Sequence, residues 1–174
     1  MNYTNSTLDY YFSLQEVRVS MTATIKNYLT KNGIAFEILP QHSSSTIGLG
    51  SVRYTHVKGH LIAKPVIFHD DTGYLMAVVP ANERVKVGKL NRMLNRDMSL
   101  TSEADLRSLF TDCDSGAIPP IGTAYGILSI IDDDLLQCSD IYFESGNHCE
   151  LIHIKGCDFH KLMEGAPHSK ISLH

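Results

Sequence analysis

The chain has 174 residues, of which 43% are hydrophobic and 20% charged, and its formal net charge at pH 7 is −4. This length and composition predict one compact domain with a sizeable core, and the acidic balance excludes a uniformly basic nucleic-acid-binding surface. The four cysteines include no CxxC pair, and neither a signal peptide nor an apolar run of membrane-spanning length is recognisable. We therefore expect a cytoplasmic protein with reduced thiols and no membrane association.

The predicted elements follow a polar and aromatic leader. Residues 1–20 are predicted to be a loosely ordered N-terminal extension, and residues 21–174 a single domain. Apolar residues at helical spacing after Met21, ended by Asn32-Gly33, predict a first helix. Residues 34–40 then alternate as a strand does.

A β-hairpin and two helices are predicted next. Residues 60–80 contain two β-rich runs joined at Asp70-Asp71-Thr72-Gly73, which is typical of a hairpin turn. Residues 84–96 have an apolar stripe at helical spacing and predict an amphipathic helix. Ser102-x-x-Asp105 is a capping signal for a second helix.

The C-terminal part is predicted to be rich in strands. Strand patterns lie within residues 124–131, 140–145 and 149–154, and a short helix closes the pattern within residues 156–164. Strands outnumber helices and are often hairpin-linked. The sequence thus predicts a mixed α/β fold of the α+β type, with a largely antiparallel, curved or barrel-like sheet surrounded by helices.

Three features are candidates for chemistry. Lys64 lies inside an apolar strand, where a lysine either extends along the surface to solvent or points into a pocket. The segment GAIPPIG, residues 116–122, is either a plain turn or a stiff loop whose backbone N–H groups lie open beside a ligand. His148 follows the Gly146-Asn147 turn and is either a turn histidine or a catalytic group.

Metal sites are disfavoured. The spacing of Cys149, Cys157 and the nearby histidines matches no common zinc site. The acidic run Asp132-Asp133-Asp134 is more typical of a solvated turn than of a cation site. We expect neither a metal nor a cofactor, and the common nucleotide-binding and hydrolase motifs are absent.

Several pieces of the sequence together resemble one family. They are AKPVIF around Lys64, LMAVVPANERVKVGKL, the loop GAIPPIG and FESGNHCELIHIKGCDFHKLM, whose order and spacing match over about residues 22–163. The chain resembles the YbaK-type family of aminoacyl-tRNA deacylases, related to the editing domain inserted in bacterial prolyl-tRNA synthetases. The resemblance implies the fold of that editing domain. It also implies a trans-acting, metal-independent hydrolase that cleaves the ester of a mischarged tRNA in translation quality control.

The resemblance also implies roles for individual residues. Those it places in catalysis are Lys64, Gly116 and His148. Those it places at the substrate are Ala117, Ile118, Pro119, Pro120, Gly122 and Gly146. Two prolines depart from the family pattern: Pro65 replaces a common threonine or serine, and Pro119 a common serine, so the amino-acid specificity stays open.

The expected partner is the aminoacylated 3′ end of a tRNA, with a synthetase as a possible second partner. The densest positive stripe on the predicted helix is a candidate tRNA contact or an ordinary solvated face, and consists of Lys86, Lys89, Arg92 and Arg96. Two other functions remain open because fold does not fix function. One is a non-catalytic ligand- or tRNA-binding module, and the other is a small-molecule ester hydrolase.

Overall fold

The computed structural model describes residues 21–40 and 57–173, so the predicted extension over residues 1–20 lies outside it. The helices of the described residues are α1 (Ala23–Lys31), α2 (Val87–Leu94), α3 (Glu103–Leu109) and α4 (Gly156–Leu162). The strands are β1 (Glu37–Pro40), β2 (Ala63–Asp70), β3 (Gly73–Pro80), β4 (Arg84–Val85), β5 (Ser99–Leu100), β6 (Leu128–Ile131), β7 (Asp140–Glu144), β8 (Glu150–Lys155) and β9 (Ser172–Leu173). Short 3-10 helices lie at Gly59–Leu61, Gly122–Tyr125 and Leu135–Gln137.

The predicted α+β fold is confirmed, with one difference in shape. The strands form a three-stranded sheet in the order β1-β8-β7, a four-stranded sheet in the order β5-β2-β3-β6, and the β4-β9 pair. All pairings inside these sheets are antiparallel except β3 with β6. The described strands form open sheets, so the expected barrel-like closure is not present among them.

The hairpin is confirmed, and the four-stranded sheet around it is covered on both faces. Ile67 and Val78 point into the main core, which also contains Phe143 and Ile152 of the three-stranded sheet. On the opposite face Phe68 packs in a second cluster beneath α2. Because both faces are covered, the sequence of this hairpin is nearly continuously apolar. Lys64 is the charged residue inside this buried strand.

The predicted helix over residues 84–96 is shorter than expected. Residues 84 and 85 instead pair with the C-terminal strand β9, which the sequence did not reveal, and the Lys86 N–H donates to Ile171 O at 2.7 Å. The helix ends where Asn95 adopts a left-handed conformation with φ 51°. Arg96 therefore lies beyond the helix and does not continue its basic stripe.

The Ser102 capping signal is confirmed, since the Ser102 side chain accepts a hydrogen bond from the Asp105 N–H at the start of α3. The strand predicted within residues 124–131 begins later than expected, because its first residues belong to a 3-10 turn that ends at Gly126 with φ 69°.

None of the helices in residues 21–40 and 57–173 has the length and hydrophobicity that a membrane span requires.

Candidate active site

The segment of residues 116–122 is a buried, anchored loop with one accessible end. Gly116 is exposed and has a φ of +85°, a conformation that favours glycine. The side chains of the next four residues, from Ala117 to Pro120, are buried, and Ile118 belongs to the main core. The prolines and the core contact thus hold the loop, and Gly116 presents its backbone at the surface.

The structure brings Gly116 and His148 together. A Cβ atom added to Gly116 would lie 3.7 Å from His148 Cε1. His148 Nε2 lies 2.9 Å from the Ser115 carbonyl oxygen, and the Asp114 N–H donates to Gly146 O at 2.8 Å. These two hydrogen bonds tie the loop to the turn that precedes β8.

The contact with Ser115 determines the tautomer of His148. A carbonyl oxygen only accepts hydrogen bonds, so Nε2 must carry a proton and donate it. The other nitrogen, Nδ1, is buried and makes no hydrogen bond within the described residues. The imidazole therefore holds the loop through Nε2.

Glu144 is a site residue that the sequence reasoning missed. Its carboxylate oxygen Oε1 lies 3.9 Å from His148 Nδ1, and its side chain is largely buried at the end of β7. The sequence shows only an acid four residues before a histidine, and outside a helix that spacing indicates neither burial nor contact.

Backbone donors at the loop are fewer than the sequence suggested. The Ala117 N–H already donates to Asp114 O at 3.0 Å, so it is not available to a ligand. The N–H groups of Gly116 and Ile118 make no hydrogen bond within the described residues. Of these two residues, Gly116 is the one that lies beside His148.

Lys64 is held by main-chain oxygens. Its Nζ donates to Glu83 O at 2.8 Å and to Ala81 O at 3.2 Å, both in the loop after β3. Burial, and then the nearby charge of Arg84, lower the pKa of Lys64 below its ordinary value. An ammonium group has three N–H donors, and residues 21–40 and 57–173 use two of them, which leaves one for a ligand within this part of the chain.

Lys64 makes no hydrogen bond to Gly116 or His148. The strand that contains Lys64, β2, nevertheless begins next to β7, the strand that leads to His148. A parallel bridge joins Ile62, just before β2, to Tyr142 in β7. Lys64 follows Ile62 by two residues, and Glu144 follows Tyr142 by two residues. The shared register sets the start of the Lys64 strand beside the strand that leads to His148.

Two glycines predicted at the substrate have a packing explanation. A Cβ atom on Gly122 would lie 2.5 Å from both Ile127 O and Ser129 Oγ. A Cβ atom on Gly146 would lie 2.0 Å from Thr22 Cγ2, and the φ of Gly146 is +101°. Close packing therefore requires glycine at both positions, whether or not a substrate lies nearby.

A shallow depression of about 220 Å³ adjoins the loop. Its apolar lining includes Phe110, Cys113 and Ile118, and α3 contributes Glu103 and Arg107 at the rim. Burial raises the pKa of the Cys113 thiol to about 11, so this cysteine is not a thiolate nucleophile at neutral pH. Neither Lys64 nor His148 lines the depression.

The predicted basic stripe is divided between internal contacts and solvent. Arg96 Nε donates to Asp70 Oδ2 at 2.6 Å, and Lys89 Nζ donates to the Lys170 carbonyl oxygen. Lys86 and Arg92 are exposed, and no side chain in the described part of the chain pairs with them. Lys86 and Arg92 are thus the two predicted cations whose charged groups make no hydrogen bond or ion pair with the described residues.

The acidic run after β6 is not a simple solvated turn, because Asp132 is fully buried. Carboxylate oxygens of Glu83, Asp132 and Asp134 lie within 4.8 Å of one another. Lys170 Nζ lies 2.6 Å from Glu83 Oε2 and 2.6 Å from Asp134 Oδ2. The ammonium group of Lys170 therefore already lies between two of these carboxylates and offsets part of their negative charge.

Comparison with known proteins identifies the domain type. The model of the aminoacyl-tRNA editing domain matches residues 50–162. No curated protein matches the sequence.

Solved structures share the fold at low identity. A proposed trans-editing enzyme for prolyl tRNA synthetase has 18% identity and a TM-score of 0.73, with 89% of this chain and 100% of that chain covered. A hypothetical protein has 16% identity and a TM-score of 0.72, with 86% and 99% covered. A proposed signal transduction protein from Marinobacter aquaeolei VT8 has 16% identity and a TM-score of 0.72, with 89% of this chain covered. The present chain spans only 31% of that last protein, so that likeness concerns one part of it.

Proposed function

The chain belongs to the aminoacyl-tRNA editing domain family, and from this membership we propose that it is a trans-acting deacylase that hydrolyses the ester of mischarged tRNA. The main structural support is the Gly116 N–H, which lies beside His148 and has no acceptor among the described residues. Such a donor is what an editing domain needs to stabilise the charge that develops on the ester. The proposal assigns the chain to translation quality control.

The chemistry requires little beyond positioning and electrostatics. Water adds to the acyl carbon, negative charge develops on the carbonyl oxygen, and the bond to the terminal ribose oxygen then breaks. The products are the free amino acid and a tRNA whose ribose oxygen carries a proton from the water. Donors placed where the charge develops typically accelerate such a step by about 10²–10³-fold each.

We assign those donors to the backbone of the loop. The Gly116 and Ile118 N–H groups are unoccupied and belong to a segment stiffened by two prolines, so little reorganisation is needed when the oxyanion forms. His148 keeps this geometry by donating to the Ser115 carbonyl. Its role is thus to position the loop.

Lys64 is assigned to the substrate's phosphate or to the developing oxyanion. Its remaining N–H donor is held at a defined place by the carbonyls of Ala81 and Glu83. We further propose that the reaction needs no metal, because Lys170 occupies the acidic cluster that otherwise suits a divalent ion.

The amino-acid specificity is assigned to the wall of the loop. Ala117 and Ile118 are buried beside Gly116, and Ile118 also lines the neighbouring depression. A pocket of this kind separates acyl groups by about 1–3 kcal/mol per methylene, so neighbouring amino acids are rejected only weakly. A synthetase that releases the mischarged tRNA is the partner expected to supply substrate.

A panel of mischarged tRNAs tests the proposal. Release of amino acid from at least one charged tRNA, faster than spontaneous hydrolysis and absent with Lys64→Met, is the expected result. Lys64→Met keeps most of the side-chain stem and removes the ammonium, so the fold should survive. A protein that binds charged tRNA without turnover, or cleaves small esters but no charged tRNA, contradicts the proposal.

A further inference from the structure

A buried ionic network joins the C-terminal segment to the loop after β3. Lys170 Nζ donates to Glu83 Oε2 at 2.6 Å, and the Ser172 hydroxyl bonds to Glu83 Oε2 and, at 2.7 Å, to Asp132 Oδ2. Glu83 is 4% exposed and Asp132 is 0% exposed. Buried carboxylates are tolerated only when they are paired and hydrogen-bonded, so Lys170 and Ser172 are needed here.

Glu83 belongs to this network and also to the surroundings of Lys64. Its side chain is held by the C-terminal segment, and its carbonyl oxygen accepts a hydrogen bond from Lys64 Nζ at 2.8 Å. Glu83 therefore contacts both the C-terminal segment and the Lys64 ammonium group, so a shift of that segment would also move the acceptor of Lys64.

The loop is fixed from two sides. The Ala81 N–H donates to Ile62 O at 2.8 Å and to Gly59 O at 3.1 Å, which ties the first residue of the loop to the chain before β2. Glu83 and the following strand β4 are held from the other side by β9, with Val85 paired to Ser172. Without the second attachment, one of the two oxygens that hold Lys64 would be positioned less firmly, although the Glu83 N–H also donates to Pro80 O at 2.9 Å.

We propose that Lys170 and Ser172 are positioning residues that, through Glu83, hold the Lys64 ammonium in the geometry needed for hydrolysis. The proposal rests on the proposed function, since it concerns the same reaction. Both residues lie outside the residues 50–162 that the editing-domain model matches. The family match therefore assigns them no role.

A pair of variants at one position tests the proposal. Lys170→Met removes the charge, whereas Lys170→Arg keeps it at a side chain that is 40% exposed and has room for the larger group. Lys170→Met should lower kcat on charged tRNA roughly tenfold or more with little change in KM, because small displacements of a catalytic group are costly. Lys170→Arg should retain most of the activity.

A core variant separates positioning from general loss of stability. Ile154→Val removes one methyl group from a buried residue of β8, in the other sheet. It should destabilise the protein while leaving kcat unchanged at temperatures well below unfolding. An equal fall in kcat for Ile154→Val and Lys170→Met, at matched stability, would overturn the proposal.

A second readout follows Lys64 directly. Titration of the Lys64 side chain by NMR should show a pKa that rises in Lys170→Met, because the displaced loop exposes the ammonium more and burial is the first cause of its lowered pKa. If Lys170→Met does not fold, Ser172→Ala takes its place with the same expectation. An unchanged Lys64 titration overturns the proposal even if kcat falls.

The two hypotheses fail separately. If the wild-type protein releases no amino acid from any charged tRNA, the proposed function fails. The NMR titration still decides the positioning role: a shifted Lys64 pKa supports it and an unshifted one overturns it.

Discussion

At the scale of single residues, the candidate site depends on one glycine and one imidazole. The Gly116 N–H has no acceptor in the part of the chain that the structure describes, and the φ of Gly116 is +85°. His148 holds the adjacent Ser115 carbonyl. Substitutions of Gly116 and of His148 test these two features, and each effect on activity can be distinguished from an effect on stability.

Gly116→Ala should abolish hydrolysis. The new Cβ would touch His148 Cε1 at 3.7 Å, and an L-residue at this φ costs about 1–2 kcal/mol. Gly165→Ala is the matched control, because Gly165 has a φ of +79° and open space around its Cβ. We expect similar losses in the free energy of unfolding, measured in urea, but a loss of kcat only for Gly116→Ala. Equal activity of Gly116→Ala and Gly165→Ala would show that the loop is an ordinary turn without a catalytic role.

His148→Gln should retain more activity than His148→Ala. A glutamine amide can still donate to the Ser115 carbonyl, whereas alanine cannot, and neither side chain acts as a base near neutral pH. We expect kcat to fall less than about tenfold for glutamine and further for alanine, in steady-state assays on charged tRNA. If both variants lose activity equally, the imidazole takes part in proton transfer rather than in holding the loop.

At the scale of the element, helix α2 presents fewer free cations than its sequence indicates. Lys89 is bound to the Lys170 carbonyl, and Arg96 lies beyond the helix and pairs with Asp70. The hydrogen bond from Arg96 is the largest of the effects that lower the pKa of Asp70. Lys86 and Arg92 are therefore the side chains that we propose for contact with tRNA phosphates.

Reversing Lys86 and Arg92 to glutamate should raise KM for full-length charged tRNA and leave hydrolysis of a minimal aminoacyl-nucleoside unchanged. Each lost phosphate contact should lower the slope of log K against log salt by about 0.7–0.9. Lys26→Glu with Lys31→Glu is the control, because both residues are exposed on α1 and the change in net charge is the same. Identical KM values for the two double variants at low salt would place the tRNA elsewhere on the protein.

At the scale of the whole molecule, the C-terminal segment is bound to the sheet by a buried carboxylate. The N–H groups of Ile171 and Ser172 both donate to Asp132 Oδ2 at 2.8 Å. Burial by itself would raise the pKa of Asp132, but the hydrogen bonds from Ser172 and the main chain, together with the charge of Lys170, hold it below its ordinary value.

This lowered pKa predicts a loss of stability in acid. A carboxyl group whose folded pKa is lowered stabilises the protein above its unfolded pKa, about 4, and this contribution is lost as the pH falls. The free energy of unfolding should therefore decrease below about pH 4. Asp132→Asn should be less stable at pH 7, by about 1–3 kcal/mol, and should depend less on pH. Urea unfolding between pH 7 and pH 2.5 measures both, with exposed Asp71→Asn as the control. Parallel curves for wild type and Asp132→Asn would contradict the prediction.

The elements of this protein are largely determined by local sequence. The apolar spacing of α1, the two β-rich runs joined at Asp70–Gly73 and the Ser102 cap depend on residues a few positions apart. The resemblance of several short motifs, taken in order, was also enough to identify the editing-domain family. Such signals are readable because helix and strand periods repeat along the chain itself.

Only the tertiary structure decided which groups meet. Lys170 contacts Glu83, 87 positions away, and His148 contacts Ser115, 33 positions away. The pairing of β9 with β4 and the burial of Asp132 likewise depend on how the chain folds back on itself. No local pattern encodes such contacts, because each depends on the packing of elements that are distant in sequence. The same physical reason kept Glu144 and the division of the basic stripe out of reach of sequence reasoning.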